Sequence, residues 1–62
     1  MNKLTRREKE VAEKLASGKR QSFIANELVI SRRTVYNHVR SIREKIGAGS
    51  AFEAAVKLAT ER

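Results

Sequence analysis

In "SRRTVYNHVRSIREKI" (31–46) the apolar residues Val35, Val39, Ile42 and Ile46 recur at spacings of four, three and four. A strand alternates its faces and could not gather them, whereas a helix turning about 100° per residue sets all four within roughly 60°. A stripe that narrow must dock on other elements, because a helix of this length is marginal alone in water. The chain has 62 residues, no cysteine and no proline. Disulfides and thiolate metal sites are therefore excluded, and stability must come from helix packing, a partner, or both.

Local signals supply the other helices. Thr5-Arg6-Arg7-Glu8 reads as a capping box, opening a first helix that runs to about Ser17 and stops at Gly18. It buries Val11, Ala12, Leu15 and Ala16. A short second helix, about Gln21 to Leu28, turns Ile24, Ala25 and Leu28 inward. Val29 and Ile30 make a tight connection, and Ser31 caps a third helix ending near Gly47. Ser50-Ala51-Phe52-Glu53 is a second capping box, and the helix it opens continues to the C-terminus. The fold class predicted is all-α: one domain over residues 1–62, a four-helix bundle in which helices 2 and 3 form a helix-turn-helix.

Charge gives this architecture a purpose. Fourteen Lys and Arg stand against seven Glu, for a net charge of +7. On the third helix Arg33, Tyr36, Asn37 and Arg40 fall within roughly 100° opposite the apolar stripe, with Arg43 at the edge. A purely solvated face would interleave acids at i,i+4, yet Glu44 is the helix's one acid. Base-edge donors in the middle and cations at the rim suit a helix lying in the major groove. Lys19 and Arg20, at the start of the second helix, are placed to hold a backbone phosphate.

The pieces "LTRREKEV" (4–11), "IANEL" (24–28), "IS" (30–31), "TVYNHV" (34–39), "EKIG" (44–47) and "SAFEAAV" (50–56) together resemble the LuxR/GerE-type DNA-binding domain. The resemblance covers essentially the whole chain. It implies a bacterial or phage transcription regulator, cytoplasmic and nucleoid-associated, whose third helix reads double-stranded DNA and whose fourth mediates dimerisation. It implies base contacts at Tyr36, Asn37 and Arg40, and backbone contacts at Arg33, Thr34 and Lys45. RNA polymerase is a further partner of such regulators. Four positions depart from the family's pattern. "KRQS" (19–22) lacks the usual polar start of helix 2, and Phe23 stands where a polar residue is common, as core filler or exposed contact. Val29 occupies a turn position often given to glycine, and a β-branched residue resists positive φ. Ala51 replaces a frequent arginine, so one salt bridge to the body is missing.

Helix 4 carries more apolar surface than one core contact needs. Ala51, Ala54, Ala55 and Leu58 form a core-facing stripe, and Phe52, Val56 and Ala59 widen the arc to about 200°. The expectation is a homodimer through Phe52, Val56 and Ala59 on an inverted repeat.

Other classes fit less well. Region 4 of a sigma factor has a similar helix-turn-helix but little use for this fourth helix. A cationic membrane-active peptide would be one continuous amphipathic helix, not four capped ones. A protein-binding adaptor predicts no salt-dependent affinity for duplex DNA. An enzyme is not expected from a chain with no Asp, no Cys, one His and no phosphate loop. No cofactor or metal is expected, and no apolar run could span a membrane. His38 is expected to pack or hydrogen-bond. Glu8, a carboxylate on the apolar side of helix 1, is expected to be structural, capping the helix and pairing with Lys45 or an arginine. Whether the chain is a whole regulator or the C-terminal domain of a longer one is left open by the sequence.

Overall fold

The computed structural model describes residues 4–60. Four helices follow in order: α1 Arg6–Ala16, α2 Gln21–Leu28, α3 Arg32–Ile46 and α4 Ala51–Thr60. Among the described residues there is no strand. The expected continuation of α4 through Glu61 and Arg62 lies outside the described residues.

The helix starts follow the cap chemistry. The Glu8 amide donates to Thr5 Oγ1 at 3.1 Å, and the Thr5 amide to Glu8 Oε1 at 2.9 Å, completing the first capping box. Ser31 Oγ accepts the Thr34 amide at 3.0 Å. The second box differs from expectation. Ser50 Oγ accepts the Glu53 amide at 3.0 Å, but Glu53 Oε1 accepts from the Gly49 amide at 2.9 Å, one residue upstream of the cap. α2 has no side-chain cap at Arg20, as the "KRQS" start implied.

Three helices end on the same device. The Lys19 amide bonds Lys14 O, the Ile30 amide Ala25 O and the Ala48 amide Arg43 O, each reaching back five residues around a left-handed position. Gly18 (φ +87°) and Gly47 (φ +72°) occupy two of those positions. Val29 occupies the third at φ +56°, the one non-glycine residue with positive φ among those described. The conflict visible in the sequence is therefore present in the fold. It is tolerated because the Ile30 bond at 3.0 Å closes the turn and Ile30 packs onto the core, while the Val29 side chain stays 87% exposed.

One core joins the helices: Val11, Ala12 and Leu15 from α1, Ile24 and Ala25 from α2, and Val35, Val39 and Ile42 from α3. Ile46 and Leu28 pack at its edge with Leu4, Ile30, Ala51, Ala55 and Leu58. Ala54 is fully buried under α4. α1 runs through the middle and packs against α2, α3 and α4. The opposite side of α3 faces away from this core.

Candidate nucleic-acid interface

The arc of α3 opposite its buried stripe is open. Arg33, Tyr36, Asn37 and Arg40 are all exposed, while Val35, Val39 and Ile42 are buried. The alternation follows from the period of the helix, since a residue three or four places from a core position stays inside and its neighbours turn out. Tyr36 offers a half-exposed ring and hydroxyl, Asn37 an amide, and Arg33 and Arg40 guanidinium groups. Arg40 lies beside Glu44, its Nε 3.6 Å from Glu44 Oε2. Arg32, which the sequence reading passed over, is also exposed, at the first position of α3. Its charge in the run "SRRT" was the available signal.

The rim cations differ in their freedom. Arg20 is exposed where α2 begins, and Lys19 is half-buried just before it. The Lys19 ammonium lies 4.7 Å above the centre of the Phe23 ring and 4.0 Å from Glu27. Phe23 is therefore a surface residue in contact with a cation, which settles the choice between core filler and exposed contact. Glu27 also takes a 2.8 Å bond from Lys14, which holds its carboxyl below the usual glutamate range and ties α1 to α2 at the surface. Thr34 is half-buried, its hydroxyl 2.9 Å from that of Ser31. Arg43 is turned toward the α3–α4 loop. Its Nη2 donates to the Gly49 carbonyl at 2.7 Å, and its Nε is buried without a hydrogen-bond partner.

Lys45 lies on the other flank of α3, where Glu8 meets it. Lys45 Nζ donates to Glu8 Oε1 at 2.7 Å and Ser41 Oγ to Glu8 Oε2 at 2.6 Å. With the Thr5 amide these bonds satisfy both oxygens of a buried carboxylate. The Lys45 bond, then that of Ser41, then that of Thr5, lower the Glu8 pKa from 4.5 to about 2 against the opposing effect of burial. The partner left open between Lys45 and an arginine is thus Lys45, and Ser41 is an addition the sequence did not suggest. The Lys45 side chain keeps 32% of its exposure.

On α4 the second apolar stripe is at the surface: Phe52 is 80% exposed, and Val56 and Ala59 are exposed beside it. His38 is half-buried on α3. Among the described residues no cluster of His, Cys, Asp or Glu could hold a metal, and no helix is long and apolar enough to cross a membrane.

A short helix, a three-residue turn and a longer helix with an exposed basic face define a helix-turn-helix DNA-binding domain. The family model for the luxR family of bacterial regulatory proteins (GerE) matches residues 2–58, and the chain belongs to that family. It is 44% identical over 55 residues to the spore germination protein GerE of Bacillus subtilis, covering 89% of this chain and 74% of that protein. It is 44% identical over 55 residues to the transcriptional regulatory protein UhpA of Escherichia coli, and 45% over 56 residues to the transcriptional regulatory protein DesR of B. subtilis. The matches cover 89% and 90% of this chain but only 28% of each of those two relatives. The chain is thus a DNA-binding domain of a transcription-regulator family, not of an enzyme family, and the likeness runs to the luxR type rather than to sigma region 4.

Proposed function

We propose that this protein binds duplex DNA sequence-specifically as a homodimer, with α3 in the major groove of each half-site. Tyr36, Asn37 and Arg40 meet base edges, and Arg33 and Thr34 meet phosphates beside them. Lys19 and Arg20 anchor the backbone from the start of α2, and Arg43, whose guanidinium is engaged by the Gly49 carbonyl, contributes less than either. Lys45 contributes less than Arg33, because Glu8 already neutralises much of its charge at 2.7 Å. Phe52, Val56 and Ala59 pair α4 with its symmetry mate, which suits an inverted repeat with half-site centres about 34 Å apart. The setting is the bacterial cytoplasm, on the nucleoid, with RNA polymerase as a further partner.

The observation that carries this reading is the division of α3. Val35, Val39 and Ile42 of its apolar stripe are buried and Ile46 packs at the core's edge, while the arc opposite presents two guanidinium groups, an amide and a phenol to solvent. A fold that needed α3 only for packing would have no use for that arc.

Selection of bound sites from random duplex DNA tests the reading directly. The expected result is a palindromic motif whose affinity falls with salt, with a log–log slope near −5 if about six phosphates are contacted. A slope shallower than about −2, or equal affinity for a neutral-backbone analogue, would sink it.

A further inference from the structure

Glu44 is the one acid on α3, and on the helical wheel it falls inside the arc of Arg33, Tyr36, Asn37 and Arg40. A carboxylate there opposes a polyanion. It is 71% exposed, so it is not held in that arc by the core. Its neighbour is Arg40, one helical turn earlier, and the approach is through Nε: Arg40 Nε lies 3.6 Å from Glu44 Oε2. Contact on the Nε side does not use the end-on fork of the guanidinium, which is one N–H from each of the two terminal nitrogens. Those two donors form the fork that matches O6 and N7 of guanine in the major groove.

We propose that Arg40 and Glu44 act together as a guanine reader, Glu44 being a positioning residue that sets base specificity through Arg40. The inference rests on the DNA-binding reading of α3 given above. Glu44 has two effects. By attracting the Nε edge, as an exposed ion pair at 3.6 Å, it biases a flexible arginine toward orientations that present the fork, so somewhat less rotamer freedom is lost when guanine is met. By its charge it opposes phosphate, which weakens binding wherever Arg40 finds no guanine to bond. Non-specific affinity falls more than specific affinity, and the ratio between them rises. Asn37, three residues before Arg40 and one turn after Arg33, would meet a neighbouring base pair, where its amide matches adenine N6 and N7.

The test is a motif selection on the unmodified protein and on Glu44→Gln, Arg40→Ala and the double variant, with affinities for the selected site and for its guanine-substituted versions. A bidentate arginine discriminates by about 5- to 150-fold, so the parent motif should contain a guanine that Arg40→Ala makes indifferent. Glu44→Gln should bind unrelated DNA about two- to fivefold more tightly at 0.1 M salt and reduce the guanine preference by at least about threefold. In the Arg40→Ala background, Glu44→Gln should raise affinity for all sequences alike and change no base preference. A merely helix-stabilising i,i+4 pair would shift the melting temperature slightly and leave the guanine preference intact, and that outcome overturns the proposal. So does a motif with no guanine dependent on Arg40. If the parent protein selects no motif at all, the DNA-binding reading falls and this inference with it. A clear motif with an unmoved guanine preference leaves that reading standing and removes only the role of Glu44.

Discussion

At the scale of single residues, two positions carry more than their neighbours. Val29 holds a left-handed conformation that costs an L-residue about 1–2 kcal/mol, and its side chain is nearly all in solvent. Val29→Gly removes that cost and loses little packing, while glycine's freedom in the unfolded chain offsets part of the gain. The expected net is about 1 kcal/mol of added stability, a rise of about 4–8 °C in the melting temperature of a domain this size. A fall in melting temperature would show that the turn is not strained. Glu8 makes stability depend on pH. Its folded pKa of about 2 lies below the ordinary 4.5, so the unfolded chain takes up its proton first as pH drops. The contribution of Glu8, on the order of 3 kcal/mol, is present above pH 4.5 and is lost progressively down to pH 2. Denaturant melts between pH 2 and 6 should trace that loss, and Glu8→Gln should flatten the trace while lowering stability at neutral pH.

At the scale of the element, the roles proposed for α3 (packing, base reading and phosphate contact) fall on different parts of its circumference, and substitutions should separate them. Arg40→Ala should cost about 1–3 kcal/mol on the preferred site and relax selectivity at one or two base pairs. Arg33→Ala should weaken binding to all sequences alike and reduce the salt slope by roughly one. Lys45→Ala belongs to neither class, because its ammonium is bonded to Glu8 inside the bundle. It should lower the melting temperature more than Arg33→Ala does and change the salt slope less. Affinity titrations at several salt concentrations, paired with thermal melts, measure both. An equal loss of specific and non-specific affinity in Arg40→Ala would misplace the reading face. A full unit of salt slope lost in Lys45→Ala, with no loss of stability, would make Lys45 a phosphate anchor first.

At the scale of the whole molecule, the unexplained surface is on α4. Ala54 faces the core and is fully buried, so the helix is docked without help from Phe52, Val56 or Ala59. Those three leave an apolar stripe in solvent, the surface proposed above as the dimer contact. Val56→Glu places a charge in that stripe at a position 48% exposed and outside the buried core. It should abolish cooperative binding to the full inverted repeat while leaving half-site affinity and melting temperature nearly unchanged. If the full site is bound as before, the stripe is not the dimer contact. If the variant unfolds, Val56 belongs to the core after all.

What could be read in the chain itself was whatever near neighbours decide. The period of Val35, Val39, Ile42 and Ile46, the capping residues Thr5, Ser31 and Ser50, and the glycines at 18 and 47 act within one or two turns. They were enough for four helices and for the sorting of α3 into a buried stripe and an open basic arc. Even the conflict at Val29 was visible, since the turn's demand and the residue's reluctance are both local. The choice of partner for each long charged side chain was not. Lys45 meets Glu8 across 37 positions of sequence, Lys14 meets Glu27 across 13, and Arg43 turns away from the open arc to the Gly49 carbonyl. An arginine or lysine has several rotamers of similar energy, and which one is occupied depends on how close the helices pack and at what crossing. Docking of α1 against α3 and α2, and the path of the α3–α4 loop beside Arg43, therefore decided which cations are already engaged, and both exist only in the folded molecule.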